Sequence, residues 1–168
     1  MDKLEPKNNQ NLWNFLYTAF FIFLFASGVM IIYKVNGFLP TAIDLFDFIL
    51  IILASFRLTR LFIYDRVMKF FRDWFLDSRE VITPEGEVLI LREKPTDGPK
   101  RTAAEILDCP WCTGMWFALV VTFFYFLTPL AWLPILILAI ASVASFVQIL
   151  SNMVGWRAEY FKNQTNKE

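Results

Sequence analysis

Apolar runs of about membrane-crossing length dominate this chain, and one long polar segment interrupts them. From Leu12 to Tyr33 the run "LWNFLYTAFFIFLFASGVMIIY" carries no charge. At about 1.5 Å per helical residue it covers the roughly 30 Å hydrocarbon core of a bilayer. It predicts a membrane helix over 12–33, retained as an anchor rather than cleaved as a signal peptide. The second run, "DLFDFILIILASFRLTRLFIY" over 44–64, has a short uncharged middle, with Arg57 and Arg60 near its far end. Hydropathy alone reads it equally as a buried soluble helix; the company of three other spans makes it a membrane helix. The third span is expected over 109–128 and the fourth over 130–151, with Pro134 tolerated in its first turn. The link at Thr128-Pro129 is so short that these two must form an antiparallel hairpin. The fold class expected is therefore an all-α membrane protein with four transmembrane helices.

The polar segment over 65–108 has its own pattern. In "DRVMKFFRDWFLDSRE", Val67, Phe70, Phe71, Trp74 and Phe75 recur at helical spacing among basic residues. They predict an amphipathic helix at the membrane surface or continuing span two. Val81-Ile82 and Val88 to Leu91 flank Pro84-Glu85-Gly86, which predicts a β-hairpin. A lone two-stranded hairpin is marginal in water, so it should pack on the helices or pair with another copy of itself. "EKPTDGPKR" reads as loop. Residues 1–11 and 152–168 read as tails.

Charge changes the picture by its location. The sixteen Lys and Arg balance sixteen Asp and Glu, so nothing favours nucleic acid. Yet if four spans cross, the two tails and the 65–108 insert share one side. They hold every Lys and Arg except Lys34 on the other side and Arg57 and Arg60 within span two. That asymmetry assigns the insert and both termini to the cytoplasmic side of the membrane. The 57% hydrophobic composition exceeds what a soluble chain of this size can bury.

Histidine is absent, which excludes Ser-His-Asp and Cys-His catalysis and histidine-ligated metals. The candidate chemistry is Cys109-Pro110-Trp111-Cys112, at the expected start of span three. Proline suits a first helical position, with Asp108 or Cys109 as N-cap. Both thiols then lie near the positive end of a helix, which favours thiolate. Three readings stand: packed thiols beside Trp111 and Trp116; a redox pair, with Cys109 the nucleophile; or half of a zinc site. No cofactor is predicted; zinc fits only if a dimer or the carboxylates of Glu105 and Asp108 complete its four ligands. The redox reading has to accommodate a reducing cytoplasm and the absence of a second cysteine pair.

Arg57 and Arg60 lie one turn apart near the cytoplasmic end of span two, Arg57 the deeper, at a depth similar to that of Glu105, Asp108 and the cysteines. An unpaired arginine in hydrocarbon costs at least ~2.5 kcal/mol, so each should seek a carboxylate. An ionic cluster of Arg57 and Arg60 with Asp65, Glu105 or Asp108 is expected to close the inner end of the bundle. Asp44 and Asp47 should face water at the opposite end. In span four, Ala141, Ala144 and Ser145 offer a close helix contact, and Gln148 a bond across the bundle.

The stretches "ASFRLTRLFIYDRV" and "EILDCPWCTGMW" together resemble a family of short bacterial membrane proteins known as domain of unknown function 1360. Arg57, Leu58, Thr59, Arg60, Leu61, Asp65, Glu105, Cys109, Pro110, Cys112, Gly114 and Trp116 fit its pattern; Ala104 stands where a glycine is expected. The resemblance covers roughly 44–151 and leaves span one outside. It implies membrane location and a bacterial source, and some members in spore-formers are labelled sporulation proteins. It supplies no reaction. The function expected is a non-enzymatic scaffold or assembly factor, with the lipid bilayer and self-association or another membrane protein as partners. A membrane thiol–disulfide oxidoreductase, a cysteine-based metal binder and a small pore are the alternatives. The uncharged interiors of spans one, three and four argue against the pore.

Overall fold

The computed structural model describes residues 9–82 and 88–165. It is mostly helical, in the order α1 (Gln10–Asn36), α2 (Leu45–Ile63), a 3-10 turn (Arg66–Met68), α3 (Lys69–Asp73), β1 (Asp77–Ile82), β2 (Val88–Glu93), α4 (Pro99–Asp108), α5 (Pro110–Leu127), a second 3-10 turn (Pro129–Ala131) and α6 (Trp132–Thr165).

Local chemistry sets the helix ends. Gly37 closes α1 in the left-handed conformation (φ 77°), its N–H bonded to the Tyr33 carbonyl. Asp44 caps α2 by accepting from the Phe46 N–H at 2.9 Å. Gly98 (φ 94°) turns the chain into α4, whose first residue is Pro99. At Cys109 the backbone is extended (φ −103°, ψ 103°), so α4 and α5 are two helices with a sharp join.

The small core belongs to α2, α5 and α6. Leu50, Ile51 and Ala54 of α2 bury against Val121 of α5 and against Ile135 and Ala139 of α6. Contacts fix the directions. Asp47 meets Tyr125, Thr59 faces Gly114 and Phe62 packs on Phe117, so α2 runs antiparallel to α5 along most of its length. Phe21 packs on Trp116, Gly28 faces Phe123 and Asn36 bonds the Phe126 carbonyl, so α1 runs parallel to α5. Near its start α1 is held by a polar knot: Gln10 Nε2 donates to Thr102 Oγ1 at 2.7 Å, and Thr102 Oγ1 donates to Asn14 Oδ1 at 2.9 Å.

Among the described residues three helical segments, Gln10–Asn36, Pro110–Leu127 and Pro129–Thr165, are long and apolar enough to cross a membrane. The second expected span, which is α2, is not among them; Asp47, Arg57 and Arg60 interrupt its apolar run. The large apolar side chains of these helices point outward, Phe15, Phe23, Ile137 and Ile140 among them, while the interior is small. That inside-out distribution suits lipid rather than water.

Several boundaries differ from expectation. The stretch taken as loop ends at Gly98, and Pro99–Asp108 is helix, because Thr102, Ala103 and Ala104 present a small buried face to the bundle. The expected tail from 152 is helical to Thr165, so α6 has 34 residues and, at about 1.5 Å each, extends well past one hydrocarbon thickness. The amphipathic helix is reduced to the 3-10 turn and the five-residue α3. Along this stretch Phe71 turns inward to Phe62 and Phe75 packs on Phe71, leaving Val67, Phe70 and Trp74 exposed. The hairpin strands are six residues each, paired from Asp77↔Glu93 to Ile82↔Val88. Their Pro84-Glu85-Gly86 turn lies outside the described residues. The tight contact of α6 is made by Ala139 and Ser142 rather than Ala141 and Ser145, since the Ser145 hydroxyl bonds back to the Ala141 carbonyl. Gln148 bonds Asn152 on its own helix, not across the bundle.

Candidate functional site

Residues singled out from sequence gather where α2 ends and α5 begins. The expected single ionic network resolves into separate pairs. Arg57 holds Asp65 at 3.0 Å, just past the end of α2. Asp65 can reach back because the chain turns sharply there, and Arg72 secures the turn by donating to the carbonyls of Phe62 (2.8 Å) and Asp65 (3.0 Å). The Phe62 carbonyl lies in the last turn of α2, where such groups lack intrahelical partners; that of Asp65 also accepts from the Met68 N–H at 3.4 Å. Arg60 takes no carboxylate among the described residues. Its guanidinium lies 5.9 Å from the Phe56 ring centroid and 5.3 Å from that of Tyr64, within cation–π reach.

Glu105 and Asp108 serve the insert. Glu105 accepts from Arg101 at 2.9 Å, one turn earlier on α4, and Asp108 pairs with Lys94 at the end of β2. Arg92 of β2 pairs with Asp73 of α3. The hairpin is thus tied at its base to α3 and α4. At the other end of α2, Asp47 is engaged rather than free: the Tyr125 hydroxyl donates to it at 2.6 Å.

The cysteines mark the α4–α5 join. Cys109 is the N-cap of α5, its Sγ accepting from the Cys112 N–H at 3.3 Å. The Cys112 thiol also donates to Cys109 Sγ at 2.7 Å. Both are free thiols; Cys109 is half-buried and Cys112 exposed. Cys109 precedes the apolar helix, and its thiol is held below the usual range, first by the Cys112 thiol and then by the Cys112 N–H. Among the described residues no three His, Cys, Asp or Glu side chains converge as metal ligands. Glu105 and Asp108, the carboxylates considered as further ligands, are each held in an ion pair instead.

Two residues missed in the sequence hold the site in place. Thr113 is buried, and its hydroxyl donates to the Ile106 carbonyl at 2.5 Å, clamping α5 to α4 across the Cys109 break. Thr102 joins α4 to α1 through Gln10 and Asn14. The signal for Thr113 was its place one turn beyond a proline-marked helix start. Gly114 faces α2, where an added Cβ would make only ordinary contact, 3.7 Å from the Thr59 hydroxyl.

The comparisons bear on the same stretch. UPF0713 protein YngL of Bacillus subtilis (strain 168) is 33% identical over 102 residues, which is 60% of this chain and 75% of that protein. Sporulation protein YjcA of the same organism is 35% identical over 104 residues, 61% of this chain and 87% of that protein. No solved structure matches. The family described as protein of unknown function (DUF1360) matches residues 50–151, which include Arg57, Arg60, Asp65, Glu105, Asp108 and both cysteines, and the chain belongs to that family.

Proposed function

We propose that this member of the family is a four-span protein of the bacterial cytoplasmic membrane that acts as a non-enzymatic scaffold or assembly factor. Parity supports the fourth span. Helices α1 and α5 run parallel, so if both cross the bilayer from one side, the chain must return between them. Among the described residues α2 is the helix between them with the length to do so, about 28 Å for 19 residues. It lies antiparallel against α5, and its charges sit at its two ends with partners in hand. The lysine and arginine asymmetry then turns both termini and the hairpin to the cytoplasm.

The observation that carries the scaffold reading is the hairpin. Val81, Leu89 and Leu91 are exposed on one face and Ile82, Val88 and Ile90 on the other, and both strand edges are open. Such a sheet needs partners to be stable, and a second copy held in the same membrane supplies one. The charged groups at its base are already paired with one another, which suits a mount more than a reaction centre. The name of YjcA suggests sporulation as the setting. Native gels of protein extracted in mild detergent test the reading. The wild type should migrate as an oligomer and the double variant Ile82→Glu/Ile90→Glu as a monomer with unchanged helix content; a wild-type monomer would sink it.

A second reading, thiol–disulfide oxidoreductase, is favoured by the adjacent accessible sulfurs of Cys109 and Cys112. Dithiol oxidation would release two protons and two electrons, the latter to a membrane quinone. Thiol trapping in cells decides it: a pair that stays reduced under oxidant stress excludes the redox role. Metal analysis of purified protein with and without Cys112→Ser tests the zinc alternative.

A further inference from the structure

We propose that the seam between α1 and α5 is a binding groove for one acyl chain of an amine-headed phospholipid, with the head at Glu105. The inference rests on the membrane reading above and goes beyond the scaffold role. Two clefts lie in line along this seam. The first, of about 330 Å³, has a polar end formed by Asn14, Thr18, Thr102, Glu105 and Cys112, and an apolar floor of Phe21, Met115 and Trp116. The second, of about 180 Å³, is apolar almost throughout and runs between Leu24, Gly28 and Ile31 of α1 and Val120, Phe123 and Phe124 of α5. Lining positions on each helix advance by three or four residues, so both clefts occupy one face of each helix and continue one another.

The dimensions and chemistry match one lipid tail and its head. From Asn14 to Ile31 the two clefts together run about 25 Å at about 1.5 Å per residue, long enough for one extended acyl chain and most of the roughly 30 Å hydrocarbon thickness. Gly28 keeps the lower part narrow: a Cβ there would come within 3.2 Å of the Phe123 ring, so α1 and α5 approach closely behind the cleft. At the polar end Glu105 is the one charged residue among those lining the first cleft. Its Oε1 accepts from Arg101, and a carboxylate has capacity for further donors, which an ammonium head supplies. The Arg101 guanidinium bound to it offers the counter-charge for the phosphodiester. A purely anionic head would meet the carboxylate unfavourably.

The test uses full-length protein in nanodiscs of phosphatidylethanolamine and phosphatidylglycerol, doped with either lipid bearing a diazirine on one acyl chain. After photolysis the labelled peptides are mapped. The phosphatidylethanolamine probe should label 24–31 and 119–124 several-fold more than the outward face of α6 at Ile137 and Ile140, and more than the phosphatidylglycerol probe does. Ser27 also lines the second cleft, so Ser27→Trp, which fills it, should lower that label to the α6 level, and Val120→Trp provides the same block from the opposite wall. Glu105→Gln should remove the head preference while leaving the chain label. Labelling spread evenly over the groove and α6 would overturn the proposal, as would equal labelling by the two probes. Failure of the protein to enter nanodiscs would instead overturn the membrane reading beneath it.

Discussion

Breaking the Arg57–Asp65 pair is the sharpest perturbation of the end of the bundle where α2 stops and α5 begins. The two groups stand 3.0 Å apart, with side chains 22% and 31% exposed, so the pair is neither fully buried nor free in solvent. Unit charges about 4 Å apart attract by ~4 kcal/mol at an effective dielectric constant of about 20. Desolvation and side-chain ordering consume part of this, and fully exposed pairs retain only ~0–1 kcal/mol. Against that, an arginine left unpaired in hydrocarbon costs at least ~2.5 kcal/mol. Asp65→Asn should therefore destabilise the protein by about 2 kcal/mol, as should Arg57→Gln. The double variant should be little worse than either, giving a coupling of about 1–2 kcal/mol. Unfolding by SDS in mixed micelles, followed by tryptophan fluorescence, measures all four species. Glu105→Gln combined with Arg57→Gln is the control and should be additive, because Glu105 bonds Arg101 instead. Additive losses for Arg57 and Asp65, within about 0.3 kcal/mol, would refute the pairing. A coupling of Arg57 to Glu105 would restore the single network in its place.

Other outcomes follow from the same geometry. Thr113→Val keeps the shape but removes the clamp on the Ile106 carbonyl, and should lower stability by about 1–2 kcal/mol in the same titration. Alkylation of Cys109 should rise at a lower pH than that of an ordinary thiol, since the thiolate is the reactive form and its hydrogen bonds from Cys112 favour it. Cys112→Ala should shift that profile to higher pH; an unshifted profile would mean the neighbouring thiol does not set Cys109's ionisation. Gly28→Ile should destabilise the packing of α1, by about 1–3 kcal/mol for overpacking, because its Cβ already crowds Phe123.

The apolar runs were legible because a membrane helix needs only length and absence of charge, both visible in the residues of α1, α5 and α6. Helix α4 was not. Gly98-Pro99 and the charged "KR" read as loop, and only the fit of Thr102, Ala103 and Ala104 against the bundle makes the stretch helical. The length of α6 was hidden for a related reason. An apolar window reports where the bilayer ends, not where the helix does, and Gly155 alone does not stop it. Depth arguments brought the arginines and acids to one level without saying which would pair. Asp65 takes Arg57 because the chain reverses directly after Ile63, while Glu105 and Asp108 are drawn to Arg101 and Lys94 by an α4 that the sequence reading lacked. Cysteine placement was readable from Pro110; the contact between the two sulfurs was not.

Whether α2 crosses the bilayer is decided most directly by cysteine accessibility in intact cells. Cys109→Ser/Cys112→Ser provides the background, into which Phe38→Cys, between α1 and α2, and Arg79→Cys, on β1, are introduced one at a time. With four spans, a membrane-impermeant maleimide should label position 38 from outside and reach position 79 only after the cells are opened. Equal labelling of both positions from outside would leave three spans, with α2 lying off the membrane path, and would contradict the account.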